Sequence, residues 1–309
     1  MPHIEVKAPA KLNLHLQVGD TRPDGFHELE SLFIALAFGD TLCVETAPQP
    51  LSLEICMEGQ FTELLTLPPE KNMVFRAVSL FRSRTGYDEG LKISLEKRIP
   101  PGGGLGGGSS DAAAALLALN RLAAPTGKGL VSEANLAEMG AALGSDVPFF
   151  LCNASAAWVS GKGEKIRPLV VSESAYGLTF VLVNPGFSSG TAEAYRLLDS
   201  VRKDHPQMST IHGEFCSAFW SKPPHEWPFF NDFLPVLEAA AEIPAYSEAG
   251  TSYQHIIADL KGHGAEFAGL SGSGSTCFGA FSERSKAEIA VNLLLQQWPF
   301  VIFTFLLAR

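Results

Sequence analysis

The stretch Pro100-Pro101-Gly102-Gly103-Gly104-Leu105-Gly106-Gly107-Gly108-Ser109-Ser110 decides how this chain is read. Six of the seven residues from Gly102 to Gly108 are glycine. Without side chains the backbone can approach a ligand closely and adopt left-handed angles. An Ala-rich segment follows, Asp111 to Leu122 (D-A-A-A-A-L-L-A-L-N-R-L), and its pattern predicts a helix. The hydroxyls of Ser109 and Ser110 and the first unbonded N–H groups of that helix then face the glycines. The helix dipole adds partial positive charge at the same end. A phosphate group suits this geometry.

Three other readings of the run fail or fit poorly. A flexible linker seldom lies between a clean strand and a clean helix. The string Gly102-x-Gly104-x-x-Gly107 matches a dinucleotide-binding turn. That fold wants an acidic residue about 20 positions later, at the end of a second strand. The chain offers Thr126-Gly127-Lys128 there, and Glu133 already belongs to the next helix. A Walker A loop needs a lysine after the last glycine, and none follows.

Outward from the run, the pattern alternates between strands and helices. Leu91, Ile93 and Leu95 share one face of a strand before the glycines, and Val74, Ala77, Val78 and Phe81 share one face of a helix over Asn72–Arg84. Ser132 is a plausible N-cap for a helix to Leu143. Leu12, Leu14, Leu16 and Val18 recur with period two, and Thr21-Arg22-Pro23-Asp24-Gly25 is turn chemistry. Residues 47–71 look like hairpin and loop, and 203–230 like an irregular connection or short helices. The tail reads helix, strand, Gly/Ser loop, strand, helix, strand. Together these imply an α+β fold. At 309 residues, about two domains are expected, with a boundary near residue 172 (1–172 and 173–309).

The bulk composition sets limits. Hydrophobic residues make up 46% and charged residues 18%, as in an ordinary globular protein with a sizeable core. The net charge of −10 argues against a nucleic-acid binder that relies on a positive surface. The five cysteines are dispersed and odd in number, without a C-x-x-C, so free thiols in a reducing cytoplasm are expected. The apolar stretch Phe300–Ala308 is too short to span a bilayer, so no membrane partner is expected.

Two charged residues stand in apolar settings. Lys11 lies in Pro9-Ala10-Lys11-Leu12-Asn13, and Asp146 in Gly144-Ser145-Asp146-Val147-Pro148. Each alone reads as a surface lysine or a turn residue. With the glycine run they form an ordered set: P-A-K-L-N, P-x-G-G-G-L-G-G-G-S-S, G-x-D-V-P and a late G-S-G. This set resembles the GHMP kinases. The string R-P-D-G-F-H narrows the resemblance to the cytidine-binding member of that family.

The resemblance implies two α+β domains with the active site in the interdomain cleft. It implies ATP, as its Mg²⁺ complex, along Pro100–Ser110, with Asn72 and Lys97 near the nucleoside. It implies Asp146 as the base that takes the acceptor's proton, and Lys11 as its partner or as a group acting on the phosphoryl oxygens. The acceptor it implies is a small cytidine diphosphate compound bearing a tertiary alcohol. Phe26 and Tyr195 would flank the cytosine, His27 would meet its edge, and Asn13 and Thr191 would make polar contacts. The family more often has tyrosine at position 26 and phenylalanine at position 195. No metal ligand is assigned, because no carboxylate cage is visible. Two alternatives stand beside this reading: a GHMP kinase for a mevalonate-, homoserine- or sugar-like acceptor, and a non-catalytic nucleotide-binding regulator. The P-D-G-F-H string weighs against the first, and retention of Lys11 and Asp146 against the second.

Overall fold

The computed structural model describes residues 3–50, 52–59, 68–124, 129–202, 222–242 and 247–309. Much of the connection at 203–230, and Thr126-Gly127-Lys128, lie outside the described residues. The chain forms two compact units that interleave in sequence. The first comprises residues 1–10, 38–101 and 106–154, and the second residues 11–37, 102–105 and 155–309. They follow contacts, so they are a different kind of division from a single cut at residue 172.

Strands β1 (His3–Thr21) and β2 (His27–Ala47) are long enough to supply residues to both units. The turn between them is the predicted one. Arg22 N–H donates to Phe26 O at 2.6 Å, and Gly25 takes φ +82°, which only glycine adopts without strain. In the first unit, Thr41–Ala47 of β2 pairs antiparallel with β4 (Gly90–Lys97), and β3 (Leu53–Gly59) pairs parallel with β4. The hairpin expected within 47–71 would include residues 60–67, which lie outside the described residues. A parallel partner needs a crossover, and α1 (Met73–Thr85) supplies it. Helices α2 (Gly107–Ala123), α3 (Glu133–Leu143) and α4 (Val147–Leu151) complete this unit. Ser132 caps α3 by accepting from Asn135 N–H at 3.3 Å.

In the second unit, Leu29–Ile34 of β2 pairs antiparallel with β5 (Ala156–Gly161), which pairs with β6 (Lys165–Pro168). A short helix, α5 (Glu173–Tyr176), leads to β7 (Thr179–Asn184) and α6 (Thr191–Arg202). Then come α7 (Phe233–Ala239), α8 (Ser247–Gly262), β8 (Phe267–Leu270), β9 (Cys277–Phe281), α9 (Arg284–Leu294) and β10 (Phe300–Phe305). The last sheet runs β10-β7-β9-β8, antiparallel throughout. Val181, Val183, Phe233, Tyr253, Ile256 and Phe281 are among the side chains of its core. Among the described residues no helix is long and apolar enough to cross a membrane.

The period-two reading of β1 holds for Leu12, Leu14, Leu16 and Val18, which are buried. The opposite face carries Lys11, Asn13, His15 and Gln17, and these are buried too. A strand that hides a polar face must satisfy it with partners, and such a face marks a site. Leu14→Ala should cost about 2–5 kcal/mol of stability, the range for deleting a buried leucine. Denaturant unfolding of the variant beside wild type measures it, and a loss below about 1 kcal/mol would contradict this packing.

Candidate nucleotide and acceptor site

The glycine run forms a loop whose acceptors are tied to the protein. Gly102 O accepts from Ser189 N–H at 3.3 Å, and Gly103 O from Thr276 N–H at 3.1 Å. Gly104 O accepts from the Ser271 hydroxyl at 2.9 Å. Leu105 O accepts from Lys11 N–H at 2.9 Å, and Leu105 itself is buried. Gly106 O accepts from Ser110 N–H as the first bond of α2. Every carbonyl from 102 to 106 is thus engaged, so the loop offers a ligand donors rather than acceptors. The helix itself leaves over the N–H groups of Gly107, Gly108 and Ser109. The donor set fits the phosphates of a nucleotide.

Crowding explains why glycine is required at Gly104. It takes φ +77°, and a Cβ there would lie 2.1 Å from Ser271 O. The late Gly/Ser loop, part of the resemblance as G-S-G, is thus a support for the first. Thr276 and Ser189 left no sequence signal, because they act through main-chain N–H. That support is braced in turn. Asn184 donates to the hydroxyls of Ser275 (3.1 Å) and Thr276 (3.0 Å). Asn231 donates to Leu270 O (2.7 Å) and Gly272 O (2.8 Å).

Helix α2 starts at Gly107, four residues before the predicted start, because the glycines disguise a helical turn of low propensity. Asp111 therefore falls in the second turn and not the first. There its carboxylate accepts from Lys97 Nζ at 2.6 Å, and Lys97 Nζ also donates to Asp40 at 2.5 Å. All three side chains are buried. Burial favours the neutral amine of Lys97, but Asp111 and Asp40 outweigh it and raise the pKa. Burial raises Asp111 to about 7; Lys97 opposes this and Asp40 adds to it. Asp40 had one sequence signal, a charge inside an apolar strand (Phe38-Gly39-Asp40-Thr41-Leu42).

The remaining expected residues have these places. Asn72 caps α1, its side-chain oxygen accepting from Val74 N–H (2.9 Å) and Phe75 N–H (3.3 Å). Asp146 occupies the residue before α4, half-buried and making no side-chain cap bond. Lys11 Nζ donates to Asn13 Oδ1 at 2.6 Å and lies 4.7 Å from the centre of the Phe33 ring. Asn13 donates in turn to the Ser31 hydroxyl at 2.9 Å.

His27, Tyr195, Phe26 and Thr191 lie in the second unit. The His27 and Tyr195 rings stack at 5.1 Å, and Phe233 meets Tyr195 edge-on. His27 Nδ1 is 3.1 Å from Gly19 O, and Nε2 is 3.3 Å from Asp199. His27 therefore lies against the ring on which a base was expected to stack. Phe26 is 56% exposed, under the Lys162 ammonium at 4.9 Å. It is not a core residue. Thr191 opens α6 and accepts from the Ser273 hydroxyl at 3.1 Å. Among the described residues, one group has metal-ligand spacing: His3, Cys43 and Glu45. A thiol and an imidazole do not suit Mg²⁺, which prefers oxygen ligands.

The N-terminal model of the GHMP kinases matches residues 72–154 and the C-terminal model residues 234–299. The chain belongs to the GHMP kinases. Within that family it falls with the 4-diphosphocytidyl-2-C-methyl-D-erythritol kinases. The relative of that name from Treponema pallidum (strain Nichols) is 36% identical, over 96% of this chain and 97% of its own. The one from Thermodesulfovibrio yellowstonii is 34% identical, over 96% of each. A crystal structure of 4-(cytidine 5'-diphospho)-2C-methyl-D-erythritol kinase superposes with a TM-score of 0.75 at 31% identity, covering 98% of this chain and 99% of that one. The Methanococcus jannaschii mevalonate kinase shares the fold at 14% identity, with a TM-score of 0.68.

Gly104→Ala should strain the loop and push Ser271 away. ATP-analogue affinity should fall by about tenfold or more, since about 1 kcal/mol of left-handed strain adds to the clash. Calorimetry checks it, and unchanged affinity would refute the packing. Asp111 gives a pH signature. Its native pKa lies above the ordinary carboxylate value, so the folded state holds that proton more tightly than the unfolded chain. The stability from this group is present at low pH and lost as pH rises through about 7. The melting temperature of wild type relative to Asp111→Asn should therefore fall between about pH 5 and 8. A constant difference would count against the assignment.

Proposed function

We propose that this chain transfers the γ-phosphoryl group of ATP to the 2-hydroxyl of 4-diphosphocytidyl-2-C-methyl-D-erythritol, a step of isoprenoid precursor biosynthesis. The supporting observation is the loop whose carbonyls are all engaged, leading into a helix N-terminus, in a chain that matches such kinases almost end to end. Mg²⁺ enters as part of the MgATP substrate, and no protein ligand for it is assigned. The dispersed cysteines support a reducing compartment, and we assign the cytoplasm.

The chemistry balances with few groups. The acceptor oxygen attacks the γ-phosphorus, its proton passes to the Asp146 carboxylate, the bond to the β,γ-bridging oxygen breaks, and ADP leaves. We assign Asp146 as the base. We assign Lys11 as the partner of the base or as the group that stabilises the phosphoryl oxygens as negative charge develops. Donors from the loop and the first turn of α2 hold the phosphates. Asn72 and Lys97 belong to the nucleoside end, and both also support the fold. Asn72 caps α1, and Lys97 carries the buried ion pairs. Phe26, His27 and Tyr195 form the aromatic recognition set for cytosine. Stacking contributes on the order of 1–3 kcal/mol per base. With His27 on Tyr195, base binding requires either the Phe26 face alone or a shift of the imidazole. Asn13 and Thr191 supply polar contacts to the acceptor.

Asp146→Asn should lower kcat by about 10²–10⁴-fold while ATP still binds, the range for losing a general base. Single-turnover kinetics beside nucleotide titration reads both, and undiminished turnover would sink the base assignment. Assayed against cytidyl, mevalonate and homoserine acceptors, the wild-type enzyme should turn over the cytidyl compound. Preference for either other acceptor would overturn the substrate.

A further inference from the structure

The ion pairs of Lys97 with Asp40 and Asp111 are buried on both sides. Their place along the chain is informative. Asp40 Oδ1 accepts from the main-chain N–H groups of Arg98 (2.5 Å) and Ile99 (2.9 Å), which lead into the glycine loop. Asp40 Oδ2 accepts from Lys97 Nζ, and the same ammonium reaches Asp111, beyond the loop on α2. One cation thus joins the chain entering the loop to the chain leaving it. The packing is close, since a Cβ at Gly107 would lie 3.0 Å from Ile99 Cγ2 and 3.5 Å from Lys97 Nζ.

The charge count is unequal. With both carboxylates ionised the cluster carries a single net negative charge, and with one proton it is neutral. Asp111 Oδ1 is buried with no hydrogen-bond partner, a place where a proton can sit. The first turn of α2 adds no acidic side chain. The charged groups acting on Asp111 are Lys97 from β4 and Asp40 from β2. Helices α1, α3 and α4 also pack on α2, and they contribute no charge to this shift.

We propose that Asp40, Lys97 and Asp111 are positioning residues for the phosphate loop, and that Asp111 takes up a proton from solvent when nucleotide phosphates bind at the start of α2. The inference rests on the reading of this loop as the nucleotide cradle. A bound polyphosphate brings negative charge to a helix end that already overlies a net-negative cluster. The arriving charge favours the neutral carboxyl, and by linkage the neutral carboxyl favours the ligand. Burial already brings Asp111 to about 7, so near neutral pH a small push changes its occupancy. On release of nucleotide the proton returns to solvent.

The experiment is calorimetric titration of the full-length protein with MgADP near neutral pH, in buffers of differing ionisation enthalpy. Wild type should take up a substantial fraction of one proton per nucleotide bound, with affinity that weakens as pH rises from about 6 to 8. Asp111→Asn should bind nucleotide with that uptake lost and a flatter pH profile. Protonation of the nucleotide itself enters both proteins equally and cancels in the comparison. Equal uptake in the two proteins would overturn the proposal. Asp40→Asn keeps an oxygen for the Arg98 and Ile99 N–H groups and removes one negative charge. The midpoint of its affinity profile should shift to lower pH, and an unmoved midpoint would also overturn the proposal. If neither wild type nor variant binds MgADP, the cradle reading itself has failed, which is a distinct result.

Discussion

A single buried ammonium sets the entry and exit of the glycine loop. Lys97 stands at the end of β4 between two carboxylates, one from the neighbouring strand and one from the helix that follows. Removing the ammonium would leave two carboxylates uncompensated in the interior, against about 3–5 kcal/mol for a single broken buried pair. Replacing all three by apolar residues would avoid that cost, so stability alone does not explain their presence. What the ionic arrangement adds is direction. It fixes where the backbone N–H groups after β4 point, and it ties α2 to the same place. Donors aimed in advance are what phosphoryl transfer requires, because the protein's contribution there is mostly position and charge.

A second organising feature is the polar face of β1. Lys11, Asn13, His15 and Gln17 alternate with four core residues and are just as buried. Burial lowers the pKa of His15 to about 4, so the imidazole stays neutral at physiological pH, and its Nδ1 accepts from Phe230 N–H at 3.4 Å. His15 also stacks on Trp158 at 5.7 Å. Lys11 donates to Asn13 Oδ1 and lies over the Phe33 ring. One strand therefore presents an imidazole packed on aromatic rings and an amine held by an amide oxygen, four positions apart.

Much of this was legible in the residues. Period-two runs located β1 and β4, helical spacing located α1 and α3, and Ser132 marked a helix start. The phosphate loop was visible because glycine is an extreme residue. The parallel placement of β3 was not legible, since pairing across a crossover leaves no local pattern. Nor were Ser189 and Thr276, which act through main-chain groups common to every residue except proline. Asp111 was misplaced by one helical turn because glycines in a first turn do not look helical. The stack of His27 on Tyr195 joins residues far apart in the chain, and no spacing argument reaches it.

The ties on the loop carbonyls have a consequence for how this protein can vary. Three of the four donors to residues 102–105 are backbone N–H groups, from Lys11, Ser189 and Thr276. A side-chain exchange at those positions leaves the donor in place, and only proline removes it. The polarity of the cradle is therefore insulated from most point changes in the segments that create it. Apart from Lys11, whose side chain has its own assigned role, those positions can change side chain while the loop keeps presenting donors to whatever anion it meets.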